Sequence, residues 1–198
     1  MIIWLTGLSG SGKTTISSLL KDLLQNDGYS VEWYDGDRVR KELNRETDFS
    51  KEGILKNSFE LINRINAINE KVDFTIVSLI TPFNEVREHA RNLFGEDYFE
   101  IFVKCDKNTL IERDTKGLYK KALNGEIDNL IGFSEKLPYE EPTKPDLIIQ
   151  SNLISPENAV NNILGRLKTH NITSSNYRQC NHNKKDFSQL NNSTLDNL

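Results

Sequence analysis

The sequence predicts an α/β fold, a three-layer sandwich in which a five-stranded, mainly parallel sheet carries helices on both faces. Three observations carry that prediction. Short apolar runs alternate with longer stretches of helical periodicity down the chain. The runs are apolar almost throughout, as strands covered on both faces must be. A glycine-rich loop joins the first run to the first periodic stretch, which reads as strand, loop, helix.

Each element follows in turn. Ile2 to Thr6 is the first strand, and Ile16, Leu19, Leu20, Leu23 and Leu24 mark the helix after it. The Asp27-Gly28 turn leads to a second strand, Ser30 to Tyr34, and Phe74 to Ile80 gives a third. Between these two, Ile54, Phe59, Leu61, Ile62, Ile65 and Ile68 recur at mixed spacings of three and four, the pattern of a helix packing on a sheet. The helical segment Asn84 to Leu93 precedes a fourth strand, Tyr98 to Lys104. A fifth, Leu147 to Gln150, comes before a last helix opened by Ser155-Pro156-Glu157. With alternation of this kind, ligands belong at the carboxyl ends of the strands.

Composition narrows the functional classes. The 198 residues, 36% hydrophobic and 27% charged, can bury one ordinary core, so one domain over 1–170 and a polar, disordered tail over 171–198 are expected. A net charge of -4 argues against nucleic acid as a partner, while leaving room for a local basic pocket that holds a small anion. Cys105 and Cys180 have no metal-ligand spacing and read as plain thiols in a reducing interior. No apolar run approaches the roughly 20 residues of a membrane span and the chain starts on a strand, so no membrane partner and a cytoplasmic location are expected.

The glycine-rich loop carries the chemistry. Gly7-Leu8-Ser9-Gly10-Ser11-Gly12-Lys13-Thr14 fits G-x-x-x-x-G-K-[ST], the phosphate loop of P-loop NTPases. Its glycines turn backbone N–H groups onto phosphates, Lys13 neutralises the terminal oxygens, and the Thr14 hydroxyl ligates Mg²⁺. The positive end of the following helix, with Thr15, adds to the same ATP site. Two fragments imitate a GTPase switch, Asp114-Thr115-Lys116-Gly117 and Asn183-Lys184-Lys185-Asp186, but neither has the strand context that class requires.

After the second strand, Asp35-Gly36-Asp37-Arg38-Val39-Arg40 sets two carboxylates and an arginine at the sheet edge facing the loop. Such a group can orient a metal shell, take an acceptor's hydroxyl proton and hold an acceptor anion. The same residues would also make a solvated Asp-Gly turn.

Taken together, the residues resemble the adenylylsulfate (APS) kinases over about 1–168. The resemblance rests on Trp4-Leu5-Thr6 with the loop, the D-G-D-x-x-R box, and Ile80-Thr81-Pro82-Phe83 with Arg87 and Arg91. It continues in Phe102 to Asp106, Glu112-Arg113-Asp114, Lys116 to Ala122 with Gly125-Glu126-Ile127, and Pro138-Tyr139-Glu140 with Pro142. It implies Mg²⁺-dependent, in-line transfer from ATP to the ribose 3′-hydroxyl of adenosine 5′-phosphosulfate, under a basic lid over about 113–137 that holds Lys116, Lys120 and Lys121. Carried over residue by residue, the catalytic set is Lys13, Asp37 and Thr81, and Thr14 and Asp37 hold the metal. ATP binding falls to the loop residues, Thr15 and Arg113. The acceptor set is Asp35, Arg40, Phe49, Asn57, Ile80, Thr81, Lys116 and Phe133. Members of the family are often homodimers. At the family's phosphorylatable serine this chain has Thr81.

The chain departs from the family on the acceptor side. Where the family has D-R-x-E-N-I-R-R, Gly53, Ile54, Lys56, Asn57, Phe59 and Glu60 stand here, so only the asparagine remains and three arginines are absent. The lid's F-T-G-I becomes Leu130-Ile131-Gly132-Phe133. Lost charged contacts of this kind can redirect preference among related nucleotides. Cytidine diphosphoramidate, the acceptor of capsule-pathway relatives, is therefore the alternative to APS, and a GTPase-like switch the remote one.

Overall fold

A computed structural model describes residues 1–43 and 48–174. Five strands, β1 (Ile2–Thr6), β2 (Val31–Asp35), β3 (Phe74–Ser78), β4 (Tyr98–Lys104) and β5 (Leu147–Gln150), form one sheet in the order β2-β3-β1-β4-β5. Every pairing is parallel. The helices are α1 (Lys13–Asn26), α2 (Gly36–Leu43), α3 (Lys51–Ile68), α4 (Asn84–Phe94), α5 (Lys107–Arg113), α6 (Leu118–Leu123) and α7 (Pro156–Ser174).

The side-chain period of a strand divides the core in two. From β1, Ile3 and Leu5 point into a cluster with Ile16, Leu20 and Leu24 of α1 and with Val160, Ile163 and Leu167 of α7. Ile2 and Trp4 point the other way, onto Leu61, Ile62 and Ile65 of α3 and Val86 and Ala90 of α4. α1 and α4 thus leave the neighbouring strands β1 and β3 on opposite faces, which opens a crevice at their carboxyl ends, the usual ligand position in such sheets. A small third cluster, Leu110, Tyr119 and Leu130 with Leu8 packed on it, ties α5 and α6 to the phosphate loop.

Four expectations shift. β2 starts and ends one residue later than the apolar run suggests, because Ser30 is taken by Asp73 through its amide and hydroxyl, at 2.8 and 2.6 Å. β3 stops at Ser78, and Ile80 turns its carbonyl to the Thr6 hydroxyl at 2.6 Å. The Asp-Gly box, which also reads as a turn, is helix α2 from Gly36 onward. The last helix reaches Ser174, past the boundary expected at 170, and residues 175–198 of the expected tail lie outside the described residues.

Candidate active site

The phosphate loop owes its shape to three glycines at positive φ, Gly7 (149°), Gly10 (77°) and Gly12 (94°). A Cβ on Gly7 would stand 2.4 Å from the carbonyl oxygen of Val103 on β4, so no side chain fits there. Gly12 is the N-cap of α1 and offers no side-chain acceptor. The first N–H groups of the helix are therefore left for an anion rather than used by a cap.

Lys13 is only 8% exposed and reaches back over the loop, donating to the Leu8 carbonyl at 2.7 Å and to Ser11 Oγ at 3.4 Å. Burial first, and then the charge of Lys116, bring its pKa down to about 7 against the opposing pull of Asp35 and Asp37. The loop is braced from α6 as well. Tyr119 of α6 donates from its hydroxyl to the Ser9 carbonyl at 2.8 Å, and burial pushes that phenol up to about 12, so it stays a donor. A Cβ on Gly132, at φ 76°, would come within 2.3 Å of Leu8 Cδ2.

The two aspartates of the D-G-D box do different things. Asp35, 6% exposed at the end of β2, accepts from the Thr14 hydroxyl at 2.7 Å, from Ser78 Oγ at 3.0 Å and from the Asp37 amide at 3.0 Å. Asp37 opens α2 with its side chain 45% exposed. There it is bonded by Arg40, one turn on, and by Lys116 from across the cleft at 2.5 Å. Burial works to raise the Asp37 carboxyl, but the bond and charge of Lys116 and then those of Arg40 prevail and hold it below the usual carboxylate range. The Thr14 hydroxyl, expected to share a metal with Asp37, is thus hydrogen-bonded to Asp35.

A hydroxyl beside one buried carboxylate, at the mouth of a phosphate loop, is a donor set suited to Mg²⁺, which takes one or two carboxylates and fills its shell with phosphate oxygens and water. Among the described residues no group of three or more His, Cys, Asp or Glu side chains could hold a metal without such outside ligands.

The third wall is the turn after β3. Thr81 has φ 43°, a left-handed conformation unusual for a β-branched residue. It is 4% exposed, with its Oγ1 accepting from Trp4 Nε1 at 3.0 Å and its carbonyl from Arg87. That hydroxyl is engaged inside the fold. Of the remaining expected residues, Arg113 donates to the Ser151 carbonyl at 3.0 Å and lies 3.7 Å from Cys105 Sγ. Thr15 is exposed and Asn57 half-buried on α3. Phe49 is 41% exposed, and Phe133 meets Tyr119 edge-on at 6.1 Å, within the lid.

Of the two GTPase-like fragments, the first has another use. Asp114 caps α6, accepting from the amides of Tyr119 and Lys120 at 3.0 and 2.9 Å, and Asn183 to Asp186 lie outside the described residues. Sequence reasoning did not single out Thr6, Tyr139 and Ser78 as site residues. Thr6 Oγ1 and the Tyr139 hydroxyl share a hydrogen bond of 2.9 Å behind the turn. For Thr6 and Ser78 the sequence signal is a hydroxyl at the end of or inside an apolar run, and Thr6 and Tyr139 also fall in the family's motifs.

Comparison with known proteins agrees with this fold. The family model described as adenylylsulphate kinase matches residues 1–150. The adenylyl-sulfate kinase of Bacillus licheniformis is 43% identical over 168 residues, covering 84% of each chain. That of Clostridium acetobutylicum is 39% identical over 171 residues, covering 86% of this chain and 84% of its own. The solved structure of the Mycobacterium tuberculosis APS kinase in complex with AMPPNP and APS superposes with a TM-score of 0.78 at 32% identity, covering 84% of this chain and 96% of that one. No helix among the described residues is long and apolar enough to cross a membrane. With its phosphate loop and parallel sheet, and on these matches, the chain belongs to the adenylylsulphate kinase family, P-loop phosphotransferases that act on a hydroxyl group.

Proposed function

We propose that this chain transfers the terminal phosphoryl group of ATP to the ribose 3′-hydroxyl of adenosine 5′-phosphosulfate, giving 3′-phosphoadenylylsulfate and ADP. The observation that carries the reading is the pairing of two charge groups across one crevice. Lys13 with the Thr14–Asp35 pair lies on one side, and Asp37 with Arg40 and Lys116 on the other. The first suits a triphosphate and the second a hydroxyl acceptor that carries an anion.

In the step itself the 3′-oxygen bonds to the γ-phosphorus, the bond from that phosphorus to the β,γ-bridging oxygen breaks, ADP leaves, and the hydroxyl proton is released by way of Asp37 to solvent. Lys13 and the first amides of α1 neutralise charge on the transferring group. Asp37 accepts a hydrogen bond from the attacking hydroxyl. A carboxylate held below its usual range is a weak base, but a loose transition state asks for orientation more than for proton abstraction. Thr14 and Asp35 would hold Mg²⁺, which when bound neutralises phosphate oxygens. The lid segment 113–137, anchored on the loop through Tyr119, keeps water from the phosphoryl group. Thr81 acts here as a backbone support and takes no phosphate. A cytoplasmic site of action fits this chemistry, since ATP and thiol-reducing conditions coincide there.

A second reading has its own observation. α3 presents Ile54, Phe59 and Glu60 where the family has arginines, which leaves a less basic acceptor wall and suits cytidine diphosphoramidate. An ADP-release assay with ATP and each acceptor decides between them. We expect turnover with APS. Turnover with cytidine diphosphoramidate alone selects the second reading, and ADP release independent of either acceptor would overturn both.

A further inference from the structure

Arg87 lies on the inward stripe of α4 with Val86, Ala90 and Phe94, and is 2% exposed. A guanidinium so deeply buried persists only when its charge is paired and its donors are used. Glu100 of β4, itself 4% exposed, faces its Nε at 3.2 Å. The other two nitrogens do not serve α4's contact with the sheet. They reach forward, one to the Thr81 carbonyl and the other to Asn84 Oδ1 and the Glu140 carbonyl, both at 2.5 Å.

Those contacts join two segments far apart in the chain. The Glu140 amide donates to the Pro82 carbonyl at 2.8 Å, and its carboxylate accepts from the Asn84 amide at 2.7 Å. The Tyr139 ring lies 5.7 Å from the Arg87 guanidinium, and its hydroxyl meets Thr6 at the base of the phosphate loop. The turn at 79–83 and the stretch at 137–141, where the chain returns from the lid, are therefore strapped together at one side chain. Thr81 is held in its left-handed conformation by the same strap.

We propose that Arg87 is a positioning residue for the acceptor, fixing the 79–83 turn against the lid's return limb so that the acceptor wall is set before substrate arrives. The inference rests on the functional reading above for the identity of the acceptor, though not for the strap itself. Arg91 supplies the control. It shares Glu100, at 3.1 Å, pairs with Asp146 at 2.8 Å, and also meets the Lys144 carbonyl and the Tyr98 ring, none of them in the 79–83 turn or the 137–141 stretch. A role confined to stability predicts the same outcome for both arginines.

The test compares Arg87→Met, Arg87→Lys, Arg91→Met and Glu140→Ala in steady-state kinetics and in hydrogen exchange of the Glu140 amide. Arg87→Met should raise the acceptor KM about tenfold and leave the ATP KM within about twofold, with Arg87→Lys between it and wild type. The Glu140 amide should lose protection in Arg87→Met and keep it in Arg91→Met, whose KM values stay near wild type. Should Arg87→Met fail to fold, Arg87→Lys and Glu140→Ala, which loosens the strap from its outer end, must still raise the acceptor KM about threefold. Equal effects in the Arg87 and Arg91 variants, parallel rises in both KM values, or unchanged Glu140 exchange in the Arg87 variants would overturn the proposal. If wild-type protein uses neither acceptor, the functional reading fails on its own, and hydrogen exchange without nucleotide still decides whether Arg87 holds the strap.

Discussion

The phosphate loop and the wall opposite it hold their charges in contrasting ways. On the loop side Lys13 and Asp35 are buried and bonded to fixed partners, Leu8 and Ser11 for the one, Thr14 and Ser78 for the other. On the facing wall Asp37, Arg40 and Lys116 have 45, 43 and 44% of their side chains exposed and bond chiefly to one another. A buried, pre-set group keeps its geometry through the reaction, whereas an exposed ion pair is worth little and exchanges partners readily. The difference teaches where this chain can change its substrate. On the reading proposed above, the donor site is bound to the sheet and the facing wall is held by pairs that can exchange, while the departures from the family pattern fall elsewhere, on α3 and at 130–133.

The contrast can be broken most severely at Lys13. Lys13→Met keeps the length and apolar stem of the side chain and removes the charge, and kcat/KM should fall about 10³-fold with the fold intact. Comparable turnover in the variant would show that the loop does not set the reaction.

Next comes the ionisation of the same residue. With its pKa at about 7 in the protein alone, Lys13 is largely neutral at higher pH, and the phosphates of ATP must restore its proton. ATP affinity is therefore full below that pKa and is lost as pH rises through it, by roughly tenfold per unit at most until the pKa of the bound lysine is reached. Binding at about pH 8 should take up close to one proton, as read by calorimetry in buffers of different ionisation heat, and Lys13→Met should abolish the uptake.

On the exposed wall the effect is smaller and falls on the other substrate. Lys116→Met should raise the acceptor KM about fivefold and steepen no dependence on ATP, and the difference from wild type should shrink at high salt. A larger loss in the ATP KM would mean that Lys116 belongs to the donor site.

Much of this arrangement was legible beforehand, for identifiable reasons. β1, β4 and β5 have the bounds that their apolar runs announce; β1 and nearly all of β4 are covered on both faces and admit few polar residues, whereas β5, at the sheet edge, leaves Ile148 and Gln150 exposed. The glycine loop was legible because each glycine meets a backbone demand that no other residue meets. The division of labour between Asp35 and Asp37 was not. It turns on one residue of strand register, since extending β2 to Asp35 sets that carboxylate opposite Ser78 on β3 and beside Thr14. The Asp37–Lys116 pair spans 79 positions and leaves no local trace. Arg87 did leave one. It falls among Val86, Ala90 and Phe94 on the buried side of a helix whose Glu85 and Glu88 face outward, and a cation on an apolar face signals a buried partner.

Thr81 gives the smallest expected effect and the sharpest check on what the turn after β3 is for. Its place in the family pattern suggests a hydroxyl that could carry phosphate, yet that hydroxyl accepts from the Trp4 indole and is shielded from the crevice. Removing it leaves a buried N–H without its acceptor, a loss of about 1–3 kcal/mol in stability, while the carbonyl that Arg87 holds is untouched. Thr81→Ala should therefore unfold at lower denaturant concentration and still turn over within about threefold of wild type, since little that it loses is specific to the transition state. A loss of about 10³-fold in kcat with stability unchanged would instead put the hydroxyl in the path of the phosphoryl group. The acceptor wall would then contain a covalent step, and its exposed ion pairs would no longer account for its chemistry.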